Sequence, residues 1–323
     1  MRTIAILGAN GRLSNAAASA FQKSGYRVIA ITRSGNANGL RGIEKRAADA
    51  MDRDALIRAT SGADIIFNGL NPLYTRWQKQ VLPMGENVMA AARHHGALHL
   101  FPGNVYNYGR SIPAFVTDSS PQKAETRKGR IRVQVEEIFE KAAATDAVRT
   151  IVLRAGDFYG TAGTGSWFDL VIAKNISKGV YTYPGPGNIP HSWAYLPDLA
   201  QAFVRLAEKA ADLPVHGRYL FPGHTMTGDD LKRYCETAVG RSLKRAGVPW
   251  PLLRIGGLII PMLREVSEVA YLWDRPHQLD GGALEAVIGA IPQTDPQAAV
   301  AQALVDQRVE VDADCASLKT VTA

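Results

Sequence analysis

The chain is 323 residues long, 46% apolar and 21% charged, with a net charge of +7. That length suits one large domain with a smaller lobe, or two domains, and the composition supports a sizeable core while excluding disordered and collagenous classes. The basic residues are scattered apart from "TRKGRIR" over 126–132, so the charge reads as solubility with some attraction for anionic ligands, and no nucleic-acid partner is expected.

"TIAILG" (3–8) reads as a buried strand and "SNAAASAFQKSG" (14–25) as a helix ended by Gly25. "RVIAITR" (27–33) is a second strand. A helix over 52–62 and a strand over 63–70 follow, then a helix over 84–96 stopped by Gly96 and the strand "LHLFPG" (98–103). "RIRVQVEEIFEKAAA" (130–144) is a long helix, and "RTIVLRAG" (149–156) is another strand. Apolar strands that alternate with helices imply an α/β, doubly wound parallel sheet of Rossmann type, with ligands bound beyond the carboxyl ends of its strands. After about residue 160, glycine and proline become frequent ("TAGTGSW", "YTYPGPGNIPHSW"). A dinucleotide-binding domain over 1–160 is therefore expected, with a smaller, interleaved C-terminal substrate lobe over 161–323. The helix at 196–210 and the strand at 217–223 are candidates to return to the sheet.

"GANGRLSN" (8–15) joins the first strand to the first helix. A pyrophosphate needs close backbone approach and a helix N-terminus, which Gly8 and Gly11 permit. Ser14 takes the third small-residue place. The candidate cofactor-binding residues here are Gly8, Asn10, Gly11, Arg12 and Leu13. The second strand ends in Thr32, Arg33 and Ser34, without the acid that holds a ribose 2′-hydroxyl. Arg33, with Arg12 as a second cation, favours NADP(H), while NAD(H) stays open. A solvated surface arginine is the competing reading of Arg33.

Cys235 and Cys315 stand far apart, with no histidine at metal-ligand spacing. Neither a zinc site nor a disulfide framework is expected, and a cytoplasmic setting follows. "VPWPLLRIGGLIIPML" (248–263) is interrupted by Pro251 and Arg254 and is too short to span a bilayer. It reads as a packing or dimer segment, and no membrane partner is expected. In the long helix, Ile131, Val135, Ile138 and Phe139 suit either the core or a homodimer face.

The glycine loop, Arg33, "LRAGDFYG" (153–160) and "HSWAYLPDLAQAF" (191–203) together resemble the extended short-chain dehydrogenase/reductase superfamily, in particular its atypical NAD-dependent epimerase/dehydratase-like and NmrA-like members. The resemblance covers roughly 1–300. It implies that Asp49 faces the adenine and that Gly69, Leu70 and Asn71 lie along the ribose and phosphates. Catalytic members carry a Tyr-x-x-x-Lys pair and an upstream serine. Counted back from "VEE" (135–137), these places fall on Lys128, Arg132 and Pro102. Arg132 keeps a charge able to hold a ribose but is no proton shuttle. Lys128 reads as an acid with a depressed pKa or as a solvated lysine. Tyr106 and Tyr108, beside Asn104 after the strand at 98–103, read as substitute proton donors or as packed residues with hydrogen-bonded hydroxyls, and His191 reads as a further acid in the substrate cleft or as a packed histidine beside Trp193. Trp77, Trp167 and Phe168 are expected to line the cleft.

Two functions follow. One is an NADP(H)-binding oxidoreductase or epimerase-like enzyme acting on a small carbonyl or sugar-like metabolite, with Tyr106, Lys128 and Tyr108 as its catalytic candidates. The other is a non-catalytic NADP(H)-sensing module. The glycine-rich, aromatic second lobe favours the enzyme.

Overall fold

The computed structural model describes residues 1–312, so Cys315 lies outside the described residues. Along the first half, β1 (Thr3–Leu7), α1 (Arg12–Lys23), β2 (Arg27–Thr32), β3 (Glu44–Ala47), α2 (Arg53–Ala59), β4 (Ile65–Asn68), α3 (Trp77–His95) and β5 (Leu98–Gly103) alternate. The short β6 (Phe115–Val116), α4 (Arg127–Asp146) and β7 (Thr150–Arg154) follow. The second half contains β8 (Asp157–Tyr159), β9 (Val180–Tyr183), β10 (His191–Tyr195), α5 (Leu196–Lys209), β11 (His216–Leu220), β12 (His224–Met226), α6 (Gly228–Val239) and β13 (Lys244–Gly247). It closes with α7 (Trp250–Gly256), α8 (Pro261–Ser267), β14 (Gln278–Leu279), α9 (Gly282–Ile288) and α10 (Pro296–Asp306).

Seven strands form one all-parallel sheet in the order β11-β7-β5-β4-β1-β2-β3. Every residue of β1, β4 and β7 is buried, as a sheet covered on both faces requires. One face packs α1, α5 and α9, and the other packs α2, α3 and α4. The chain reverses direction across the sheet between β1 and β4, which opens the crevice where such sheets bind ligands. Both α5 and β11 come from the second half of the chain yet belong to this sheet layer.

Two elements depart from the expected pattern. The helix before β5 starts at Trp77 rather than Met84 and continues through Pro83. Trp77 anchors that start, because its buried indole N–H donates to the Pro72 carbonyl at 2.9 Å. The edge strand β3 has the polar sequence EKRA and no apolar run to announce it. Charges hold it instead: Glu44 pairs with Arg27 at 2.7 Å and with Arg46 at 2.8 Å, and Arg46 also donates to the Ala59 and Ser61 carbonyls.

In α4, Ile131, Val135 and Phe139 are buried within the chain, so these positions are core; an added Cβ on Gly85 of α3 would come within 2.8 Å of Val135. The lobe packs β8-β10-β12 and the parallel pair β9–β13 around Tyr159, Phe168, Tyr181 and Trp193. The stretch 248–263, read as a packing or dimer segment, is packed only in part within the chain. Trp250 turns inward, its indole N–H donating to the Pro184 carbonyl at 2.7 Å, but the connection between α7 and α8 stands in solvent.

Candidate active site

The cofactor cradle is made largely of backbone. Gly8 follows β1 at φ +65°, and a Cβ there would lie 3.1 Å from the Gly69 carbonyl oxygen. The loops after β1 and β4 thus touch at the crevice, and a side chain at Gly8 would be strained in both conformation and space. Gly11 caps α1 without a side-chain acceptor, and the first helical turn holds no acid, so that end of α1 is open to an anion. Ser14 fits the third place because its hydroxyl donates to the Leu7 carbonyl at 3.1 Å. Leu13 is buried beneath the loop. These residues fit a dinucleotide pyrophosphate.

Around the cradle, the side chains divide. Asn10 staples the loop after β2 in place: its amide donates to the Asn36 carbonyl at 2.9 Å, and its oxygen accepts the Asn38 N–H at 2.9 Å. Arg33 is exposed at the end of β2. Asp49 is exposed beyond β3, with one oxygen accepting the Met51 N–H at 2.9 Å. Gly69 and Leu70 are half-buried and Asn71 is exposed beyond β4.

The expected partnership of Arg12 with Arg33 needs correction. The Arg12 guanidinium turns toward the lobe, where it pairs with Asp169, donates to the Gly160 carbonyl, and reaches Ser166 Oγ at 2.8 Å and the Thr161 carbonyl at 3.2 Å. A buried carboxylate captures it, so Arg12 ties the glycine loop to the lobe.

At the carboxyl end of β5, Asn104 begins a 3₁₀ segment, Val105–Ser111, its side chain accepting the Tyr106 N–H at 3.0 Å. Tyr106 is buried, and its hydroxyl shares a 2.7 Å hydrogen bond with that of Tyr74. Tyr74 lies in the turn ahead of α3 and was not singled out in the sequence, since nothing there pairs "PLY" with "NVY". Burial, then Tyr74 and the charge of Asp157, raise the Tyr106 phenol well above its ordinary value, so it rests protonated. Arg132 is buried beside this pair, 4.6 Å over the Trp77 ring and 5.4 Å from that of Phe101, and its Nε–H has no partner in the structure. The same guanidinium borders a small cavity that Asn68, Leu70 and Pro72 also line. This unpaired, buried donor beside the loop after β4 fits a ribose or a substrate oxygen.

Lys128 is neither solvated nor a free acid. It is fully buried, and its Nζ pairs with Glu265 and, at 2.7 Å, with Glu268, both brought by the α8 region. Arg127 joins Glu265 from the same helix start. Two carboxylates hold the ammonium as a fixed cation 5.1 Å over the Tyr74 ring, which argues against Lys128 as the proton donor. Tyr108 is also set apart from Tyr106. Its ring packs 5.3 Å from the Arg154 guanidinium, and it lines a cavity of about 350 Å³ with Ser119, Ser120 and Arg218, toward the β11 edge. Arg154 in turn pairs with Glu136 of α4 at 2.7 Å and donates to the Asn104 carbonyl, which fixes the loop that bears Tyr106.

The lobe side of the cleft adds Asp157 and His191. His191 Nε2 lies 2.7 Å from Asp157 Oδ2, and its ring stacks on Trp273 at 4.4 Å. After burial, the Asp157 charge helps to raise the Tyr74, Tyr106 and Tyr183 phenols. Asp157 sits in the quoted "LRAGDFYG", but its pairing with a residue on β10 could not be read from spacing. Trp167 is half-buried between Trp250 and Trp273, whereas Phe168 is fully buried in the lobe core and so does not line the cleft as expected. Among the described residues, no cluster of metal-binding side chains occurs.

The model of the NAD dependent epimerase/dehydratase family matches residues 4–220. No curated protein matches the chain. Among solved structures, UDP-glucose 4-epimerase from Brucella ovis in complex with NAD is similar at 13% identity and TM-score 0.78, with 97% of this chain and 100% of that chain covered. UDP-glucose 4-epimerase from Thermotoga maritima with UDP-glucose is similar at 14% identity and TM-score 0.77, with 95% and 98% covered. UDP-glucuronic acid 4-epimerase from Bacillus cereus, in complex with UDP-glucuronic acid and NAD, is similar at 12% identity and TM-score 0.76, with 95% and 99% covered. At such identities the likeness carries the fold, while the family match spans the whole parallel sheet from β1 to β11. The chain therefore belongs to the NAD dependent epimerase/dehydratase family.

Proposed function

We propose that the chain is an NADP(H)-preferring oxidoreductase or epimerase acting on a small carbonyl or sugar-like metabolite, with Tyr106 as its proton donor. The observation that carries this reading is the hydrogen-bonded Tyr74–Tyr106 pair beside the buried, partly unpaired Arg132. A bound nicotinamide supplies reversible hydride transfer. The protonated Tyr106 hydroxyl donates to a substrate carbonyl oxygen as charge develops there, and Tyr74 relays the proton that replaces it. Arg132 contributes a permanent positive charge in a dry site, where it stabilises that oxygen. In the opposite direction Tyr106 takes the proton of a substrate hydroxyl while passing its own to Tyr74, which releases one to solvent. Asp157, held by His191, accepts a hydrogen bond from a second substrate hydroxyl and orients it.

For the cofactor, Gly8, Gly11, Leu13 and the open end of α1 receive the pyrophosphate, and Asp49 faces the adenine. Gly69, Leu70, Asn71 and Arg132 follow the ribose and phosphates toward the reaction end. Arg33, exposed where an NAD-preferring site needs an acid, supports a 2′-phosphate. Residues 1–160 act as the dinucleotide domain and the rest as a substrate lobe that returns α5 and β11 to it. Fluorescence titration with NADPH beside NADH tests the cofactor, and loss of nicotinamide absorbance over a panel of carbonyl and sugar substrates tests the activity. Tight NADPH binding with substrate-dependent oxidation is the expected result. Binding without turnover on any substrate would favour the sensing module, to which the locked Lys128 lends support.

A further inference from the structure

The hairpin formed by α7 and α8 is sided in both polarity and charge. At its tip, Leu258 is 85% and Ile259 86% exposed, and Ile260, Leu252 and Ile255 are exposed as well. Arg254 and Arg264, one on each arm, are exposed beside these residues. Glu265 is the one acid between 248 and 267. It points inward, its side chain only 4% exposed, to Lys128 and Arg127, and Arg264 passes no closer to it than 3.9 Å. The outer side of the hairpin thus combines apolar side chains with cations and no acid.

Folded monomers seldom leave such a contiguous apolar tip in water. A second copy of the chain would meet the patch through the same patch, bringing the arginines of both copies together without a countercharge. An anionic bilayer matches both features, since its acyl boundary takes Leu258, Ile259 and Ile260 while its headgroup phosphates take Arg254 and Arg264. No helix of the described residues is long and apolar enough to cross a membrane, so this contact is peripheral. We propose that the α7–α8 hairpin docks the protein on an anionic phospholipid surface. This revises the expectation of no membrane partner and is independent of the proposed reaction. Because α8 packs against the turn that holds Tyr74, and Glu265 holds Lys128, the docked face adjoins the reaction end.

Co-sedimentation of the full chain with vesicles tests this, using phosphatidylcholine alone and phosphatidylcholine mixed with phosphatidylglycerol. Binding to the mixed vesicles, weakening with salt, is expected. Arg254→Gln with Arg264→Gln lowers the partition coefficient by about thirtyfold. Leu258→Glu with Ile259→Glu lowers it by at least about tenfold, with unchanged circular dichroism because both side chains already face solvent. Absence of binding to the mixed vesicles would overturn the proposal, as would wild-type binding by the tip variant. So would a stable dimer in light scattering that the tip variant splits into monomers.

Discussion

At the cofactor end of the cleft, the contacts are backbone groups and short side chains from two adjacent loops: Gly8 against Gly69, Gly11 at the head of α1, and Ser14 on the Leu7 carbonyl. At the reaction end they are long side chains drawn from distant segments. Tyr74 meets Tyr106 across 32 residues, Lys128 meets Glu268 across 140, and Asp157 meets His191 across 34. The first arrangement depends on what glycine permits locally and leaves a spacing in the sequence. The second depends on the tertiary fold, so its members can be replaced as a set while the sheet beneath them stays the same.

The sharpest way to break this contrast is at the reaction end. Tyr106→Phe is expected to lower kcat by about 10²–10⁴-fold while NADPH affinity, read by fluorescence, holds at the wild-type value. Tyr74→Phe is expected to lose less, because Tyr106 keeps its own proton. Full turnover by Tyr106→Phe would place the acid elsewhere, with Asp157 and His191 the next residues to test.

Lys128 distinguishes a structural cation from a catalytic one. Lys128→Met leaves the Glu265 carboxylate buried with Arg127 alone, at a cost of about 3–5 kcal/mol in a urea melt. Lys128→Met combined with Glu265→Gln is expected to recover part of that loss, since the more buried of its two carboxylate partners is then neutral while Glu268 keeps Arg127 at 3.7 Å. If Lys128→Met melts like the wild type but has lost all turnover, Lys128 is part of the reaction and not a strut.

The sheet was legible because its strands are apolar runs of the right length and its helices carry periodic faces with clear stops, as Gly25 and Gly96 show. Polar β3 was missed because its stabilisation comes from Arg27, Arg46 and Glu44, and charge pairing leaves no periodicity. The glycine turn between β1 and α1 was legible from its spacing together with the strand before it and the helix after it. Arg12 was misjudged because its capturing carboxylate, Asp169, lies 157 residues away. Lys128 looked solvated in a basic stretch for the same reason: the acids that bury it arrive from α8. Spacing reports local backbone needs, and it is silent on which distant charge a buried cation meets.

Arg33 and Arg12 sharpen the comparison within the cofactor end. Arg33→Ala is expected to raise the NADPH Kd by about 10–100-fold, as loss of a charge-assisted contact would, with NADH binding unchanged. Arg12→Ala is expected to act differently, lowering thermal stability and weakening both nucleotides alike, because it releases the glycine loop from the lobe. A loss specific to NADPH in Arg12→Ala would return that arginine to the 2′-phosphate.

A change of pH reaches the sheet itself. His99 on β5 is fully buried, packs edge-on to Phe139 at 4.6 Å, and has Thr150 Oγ1 at 3.2 Å. Burial pushes its pKa down to about 3, so it is neutral in the folded chain. Unfolded, it titrates near the ordinary histidine value of about 6.5. Its contribution is therefore complete above that pH and lost as pH falls toward 3, because the unfolded chain takes up a proton that the native sheet refuses. The loss amounts to about 1.4 kcal/mol per pH unit. His277, against His191 in the lobe, is also pushed down to about 3 by burial and supplies a matched site outside the sheet. His99→Leu and His277→Leu should each flatten the slope of unfolding free energy between pH 6 and 4 by about that amount if the two regions unfold as one unit. A slope that responds to His99→Leu alone would mean that the lobe opens before the sheet melts.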